Sequence, residues 1–209
     1  MHYNPQYHHR RSIRLKGYDY AQAGLYFITV CCDRRKNPRW NPFGHIENGV
    51  LHLNDAGRMV EKWYYELENK YPDKRCHEMV VMPNHIHFII ENMAMGAPVR
   101  APLCGRPVNQ TADREHPTPK PNDNRNIPPY GPDNKKYGAT IGDAMDWFKT
   151  MTTNEYIRGV KTLDWPPFNK KLWQRNYYEH IIRDQQSYLR ISEYIRNNPA
   201  KWQDDKFFE

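Results

Sequence analysis

The sequence predicts an α+β fold: one antiparallel sheet with helices packed on it, plus a further helix at the C-terminal end. Three observations predict it. Short apolar or alternating runs bounded by turn residues recur as strands. Longer stretches carry apolar side chains at helical spacing. Residues 93–138 have neither pattern and are rich in Pro, Asn, Asp and Gly, so they read as an insertion into the domain.

The first strand is expected near residues 25–32, where Leu25-Tyr26-Phe27-Ile28-Thr29-Val30-Cys31-Cys32 is apolar on both faces, as an interior strand should be. Asp33-Arg34-Arg35-Lys36 follows as a basic loop. His45–Leu53 reads as a hairpin, because Asn48-Gly49 supplies positive φ at both turn positions. A helix begins at Asn54-Asp55, a good cap, and Pro72 closes it. Within it Val60, Trp63, Tyr64 and Leu67 form one apolar stripe.

Strands are expected near 75–82 and 85–91, joined at the turn-forming pair Pro83-Asn84. Side chains alternate along a strand, so His85 and His87 share one face while Ile86, Phe88 and Ile90 share the other. Neutral imidazole is a common metal ligand, and a strand fixes the bite of such a pair. The same pattern also occurs as two ordinary histidines on a half-exposed sheet face.

After the insertion, Thr140-Ile141-Gly142-Asp143 resembles a capping box, and Ile141, Met145, Phe148 and Thr152 keep helical spacing to about Gly159. Leu172–Ile182 holds an aromatic, strand-like run, with the fourth strand expected near 172–178. The last helix runs from about Gln185 to Asn197 and stops before Pro199, since the residue preceding proline avoids the helical region. Ile191, Tyr194, Ile195 and Asn198 fall on one stripe of it. Without the Asn48-Gly49 hairpin, the order is β-α-β-β-α-β, the ferredoxin-like order.

Composition narrows the function. The 209 residues carry a net charge of +7, and the pI is about 9.2, which favours a polyanionic partner such as nucleic acid. Mean hydropathy is −1.00, and no uninterrupted apolar run approaches the roughly 20 residues of a membrane span. The first residues lack the apolar stretch of a signal peptide. Cys31, Cys32, Cys76 and Cys104 form no Cys-x-x-Cys, so neither a zinc ribbon nor a disulfide framework is expected, and a cytoplasmic location is. Residues 1–20 form a basic arm in which Arg10, Arg11, Arg14 and Lys16 stand beside Tyr18 and Tyr20. Cations can hold phosphates while aromatic rings stack on bases. Lys149, Lys170, Lys171 and Arg175 are further candidate phosphate contacts or ordinary surface charges.

Several stretches, in order and spacing, carry a resemblance: Arg10–Tyr20, Tyr26–Val30, Met82–His87, Phe148-Lys149, Trp173–Arg175, Tyr178–Arg183 and Glu193–Pro199. Together they resemble the HUH-type single-tyrosine transposases, most closely the REP-associated tyrosine transposases. The resemblance covers most of the chain, and the insertion at 93–138 is its main departure. It implies an HUH endonuclease fold with the catalytic tyrosine on the C-terminal helix. His85 and His87 fall on the family's histidine pair, Tyr194 on its nucleophile and Asn198 on its third metal ligand. The implied activity is cleavage and strand transfer of single-stranded DNA at hairpin, REP-like sites through a 5′-phosphotyrosine. The implied cofactor is Mg or Mn.

A tyrosine hydroxyl has a pKa of about 10, so a nearby divalent ion would help it act at neutral pH. Glu179 and His180 read as strand-end support or DNA contacts. The expected organisation is an arm at 1–20, one domain at 21–203 broken by the insertion, and a tail at 204–209. The protein is expected as a monomer or homodimer acting on single-stranded or hairpin DNA, with no membrane partner. Two other readings stand beside this one. The first is a non-catalytic binder of structured nucleic acid. The second is a water-using metal-dependent nuclease in which Tyr194 is structural.

Overall fold

In the computed structural model, β1 (Gly24–Cys31) is the centre of a four-stranded sheet. The structure describes Leu15, residues 17–93 and residues 136–208. Arg10, Arg11, Arg14, Lys16 and most of the insertion therefore lie outside the described residues. A separate hairpin, β2 (Gly44–Glu47) and β3 (Val50–Leu53), turns at Asn48 and Gly49, whose φ values of 51° and 75° suit the Asn-Gly pair.

Helix α1 (Asp55–Lys70) starts where the Asn54 side chain accepts the Gly57 amide, 2.9 Å away. Its stripe of Val60, Trp63, Tyr64 and Leu67 is buried as expected. Gly57 faces the loop before the hairpin so closely that a Cβ there would stand 2.3 Å from the Phe43 carbonyl oxygen.

Strand β4 (Lys74–Val81) turns at Pro83-Asn84 into β5 (His85–Asn92). The sheet order is β4-β5-β1-β6, and every neighbouring pair is antiparallel. Strand β5 thus lies between β1 and β4, which run parallel to each other. This is the split βαβ of the ferredoxin-like fold.

Helix α2 (Ile141–Thr162) begins with a full Thr140/Asp143 capping box and runs three residues past the expected Gly159. The fourth strand, β6, is Tyr178–Ile182 rather than 172–178. Leu172 and Trp173 are instead buried plugs. Trp173 makes an isolated bridge with Cys32, and its indole donates to the Thr152 hydroxyl on α2, 2.9 Å away. Their apolar pattern serves side-chain burial, while the pairing edge of β1 is taken by 178–182. Helix α3 (Gln185–Asn197) has the expected bounds and is capped by Asp184, but Asn198 does not avoid the helical region before Pro199: its φ of −58° and ψ of −42° are helical, and the chain continues through it into a 3₁₀ turn, Pro199–Asp204.

The sheet has two apolar faces, and each builds its own cluster. Tyr26, Ile28, Val30, Ile86, Phe88 and Ile90 pack with α1 and α2. On the other face Val80, Met82 and Ile89 pack with Tyr188 and Ile195 of α3 and with Trp202 of the 3₁₀ turn. His85 and His87 point to this second face. Among the described residues no helix is long and apolar enough to cross a membrane.

The described residues on either side of the insertion meet at one place. The Met93 amide donates to the Asp73 carbonyl oxygen (2.8 Å) and the Gly138 amide to the Asp73 carboxylate (2.7 Å). Lys74, 2% exposed, pairs with the same carboxylate at 3.1 Å.

Candidate active site

Strand β5 presents His85 and His87 on one face, and both are buried. Their Nε2 atoms stand 2.9 Å apart. Each outer nitrogen has its own partner. His85 Nδ1 lies 2.8 Å from Asn84 Oδ1, and His87 Nδ1 lies 2.7 Å from the hydroxyl of Thr29, its register partner on β1. Metal-bound histidines are usually held through the ring nitrogen that does not ligate.

Burial keeps both rings neutral. It pushes His85 well below the ordinary histidine value, with His87 and the positive charges of Arg34 and Lys206 adding to the effect. It brings His87 down to about 3, with Lys206 contributing. Neutral imidazole is the form that ligates a metal.

Helix α3 brings Tyr194 to the pair. Its hydroxyl lies 3.3 Å from His87 Nε2, and its ring stands edge-on to Phe27 and His87. Tyr194 is 44% exposed, so the hydroxyl borders the buried pair while the residue remains open to a large substrate. Burial raises its pKa, the charge of Asp205 adds to that, and a hydrogen bond with Asn198 opposes it.

Asn198 is buried one turn beyond Tyr194. Its amide donates to the Asp205 carboxylate at 3.3 Å, while its carbonyl oxygen is buried without a hydrogen-bond partner among the described residues. A buried acceptor left in that state is costly unless something else meets it. Asp205 itself closes the site: one ligand atom from each of His85, His87 and Asp205 lies within 4.8 Å of the others. Two imidazole nitrogens and a carboxylate make a donor set that fits a divalent cation.

Sequence reasoning missed Asp205, which fell in the segment read as a tail. That segment packs onto the pair. The Phe207 ring lies 4.5 Å from that of His85, and the Phe207 carbonyl accepts from Asn84 Nδ2 and from Arg34, each at 3.0 Å. Trp202, buried in the second cluster, tilts over His85 at 6.0 Å. Thr29 had a readable signal, as a polar side chain inside an otherwise apolar strand.

Of the described nucleic-acid residues read from the sequence, Lys149, Lys170, Lys171 and Arg175 line one cleft, and Tyr18 is not among its lining. Tyr18 is half-buried against Tyr20, its hydroxyl 3.3 Å from that of Tyr26. Lys149 spends two donors on the carbonyls of Gln174 (2.9 Å) and Arg175 (3.0 Å), so it ties α2 to the loop before β6. Arg175, Lys170 and Lys171 are exposed around that loop.

No family model matches the chain. An uncharacterized protein of Haemophilus influenzae is 38% identical over 206 residues, covering 99% of this chain and 97% of that one. Among solved structures, a REP-associated tyrosine transposase bound to a REP hairpin aligns with a TM-score of 0.51 and 16% identity, over 94% of this chain and 76% of that chain. At that identity the second likeness is one of fold. The chain belongs to the same family as the Haemophilus influenzae protein, and its fold is that of the REP-associated tyrosine transposase.

Proposed function

We propose that this protein is a transposase-type enzyme that cuts and rejoins single-stranded DNA at hairpin sites, with Tyr194 as nucleophile. The observation that carries this reading is the 3.3 Å contact between the Tyr194 hydroxyl and His87 Nε2 within one chain. A phenol placed against two convergent imidazoles and a carboxylate has no evident structural need for them, since its ring already packs on Phe27. The net charge of +7 and the hairpin DNA held by the solved transposase of the same fold support DNA as the partner.

His85, His87 and Asp205 would hold a divalent cation, with the Asn198 carbonyl oxygen as a fourth group. When bound, the cation supplies Lewis acidity toward a phosphate oxygen and positive charge that favours the phenolate. Two imidazoles beside oxygen donors suit manganese better than magnesium.

The steps that fall to the chain's own atoms are these. Tyr194 Oη attacks the scissile phosphorus and the bond to the 3′ oxygen breaks. The phenol proton is lost and the departing 3′ oxygen gains one. A 5′-phosphotyrosine and a free 3′-OH result. Attack by that 3′-OH, or by one on another strand, reverses the exchange. The ester conserves the bond energy, so no nucleotide cofactor is required. Arg175, Lys170 and Lys171, with the arm residues Arg10, Arg11, Arg14 and Lys16, would hold phosphates.

Covalent trapping tests the reading. Incubation with a single-stranded hairpin oligonucleotide and Mn²⁺ should give a denaturant-resistant protein–DNA adduct at Tyr194. Free 5′-phosphate ends without an adduct would favour the water-using nuclease instead. Tight binding with neither product would favour the non-catalytic binder.

A further inference from the structure

The polar groups behind the two histidines are not equivalent. Asn84 Nδ2 lies 3.2 Å from Asn41 Oδ1 and 3.0 Å from the Phe207 carbonyl oxygen. A backbone carbonyl only accepts, so this atom must be the amide NH₂, and the oxygen is the atom facing His85. That oxygen also only accepts. His85 Nδ1, 2.8 Å from it, therefore carries the ring proton and leaves Nε2 with a bare lone pair.

His87 faces a different kind of partner. The Thr29 hydroxyl, 2.7 Å from His87 Nδ1, can donate or accept. The two Nε2 atoms are 2.9 Å apart, so with no cation shared between them a proton must lie there. His85 cannot supply it, because its proton is on Nδ1. In the cation-free protein His87 Nε2 therefore donates to His85, and Thr29 donates to the bare Nδ1 of His87. For both Nε2 atoms to ligate, the proton of His87 must move to Nδ1 and the Thr29 hydroxyl must turn to accept it. No proton is gained or lost overall.

We propose that Asn84 and Thr29 are positioning residues with unequal duties: Asn84 locks His85 in the ligating tautomer, and Thr29 lets His87 exchange between a resting and a ligating one. This rests on the reading of the pair as a cation site. Because Asn84 also holds the Phe207 carbonyl, the same amide that orients His85 helps seat the segment that delivers Asp205.

Long-range ¹H–¹⁵N spectra of histidine-labelled protein, without cation and with diamagnetic Zn²⁺, test this directly. Without cation, His85 should be protonated at Nδ1 and His87 at Nε2. Zn²⁺ should invert His87 and leave His85 unchanged. A cation-free His87 already protonated at Nδ1, or an inverting His85, overturns the assignment. Mn²⁺ titration supplies the second readout. Thr29→Val should weaken affinity about 10–100-fold, the range for lost groups behind a metal ligand, and Thr29→Ser should recover most of it. Thr29→Val binding as tightly as wild type refutes the role of Thr29. Asn84→Ala should weaken affinity similarly, whereas Asn84→Asp keeps the acceptor and should keep the His85 tautomer. If Asn84→Ala does not fold, Asn84→Asp and the wild-type spectra still decide the point. If the wild type takes up neither ion, the cation reading fails and the Thr29 exchange with it, while the cation-free spectra still judge the lock by Asn84.

Discussion

The hydroxyl of Tyr194 stands 3.3 Å from Nε2 of His87, 107 residues earlier in the chain. Helix α3 reaches the pair because Ile195 and Tyr188 anchor it in the second apolar cluster, with Tyr188 donating to the buried Glu78 carboxylate at 2.8 Å. The contact lies within one chain, so the Tyr194 hydroxyl and the histidine pair need no second subunit to meet.

Tyr194→Phe removes one oxygen and keeps the ring against Phe27 and His87. Folding and hairpin binding should stay near wild type, with stability changed by no more than about 1 kcal/mol for one partly exposed hydrogen bond. The covalent adduct should vanish, and excess Mn²⁺ should not restore it. Persistence of the adduct on a denaturing gel would move the nucleophile elsewhere, with Tyr178 or Tyr177 next in line.

The proposed ligand set makes a second prediction. His87→Ala and Asp205→Ala should each weaken Mn²⁺ binding by about tenfold or more. His87→Ala should also lose the adduct, recoverable in part at high Mn²⁺. Asp205→Ala removes the charge that helps hold the Tyr194 phenol protonated, so its phenolate should form at lower pH than in wild type. Isothermal titration with Mn²⁺ and ultraviolet titration of tyrosine check the two halves. Wild-type affinity in Asp205→Ala would return the third position to Asn198 alone.

Much of this arrangement was legible because it is local. Asn54 and Thr140 cap their helices, and the alternation around His85 and His87 already put both rings on one face. The fourth strand was misplaced because Leu172 and Trp173 carry a strand's composition yet serve as plugs against Cys32 and Thr152, a choice made by tertiary packing. Asp205 left no local signal. It lies beyond Pro199, in a segment without periodicity, and reaches the histidines only because Trp202 and Phe207 pack beside His85. Arm residues such as Arg14 fall outside the described residues, and the reading of the arm as a DNA contact rests on its charge, its tyrosines and the family resemblance.

The insertion should be removable. Met93 and Gly138 both hydrogen-bond to Asp73, so the chain leaves and re-enters the domain at one residue. Replacing residues 94–135 with about six Gly/Ser residues should leave the fold intact. Loop-closure entropy would make it more stable by about 1–2 kcal/mol. Asp73→Ala should do the opposite, costing about 3–5 kcal/mol, because it strands the buried Lys74 ammonium without its partner. Urea unfolding of the two variants measures both. Collapse of the shortened chain would mean that the insertion contributes to the core.

Metal-free protein should lose stability on mild acidification. His87 is held near 3 in the fold, and His85 well below its ordinary value, both chiefly by burial. In the unfolded chain each takes up a proton near pH 6.5. Below that pH the unfolded state binds more protons than the native one, so stability falls as pH falls, and the loss continues until the native histidines protonate. Each neutral histidine contributes about 1.4 kcal/mol per pH unit, so the pair gives a slope of up to about 2.7 kcal/mol per unit well below pH 6.5. The window between pH 6.5 and 5 isolates the histidines, since most carboxylates are still ionised there. Urea unfolding in the presence of a chelator should show this slope in wild type. A folded His85→Gln/His87→Gln variant should show a flatter one. Equal slopes in the two proteins would mean that the pair is not held neutral, and would remove the electrostatic basis for a ready cation site.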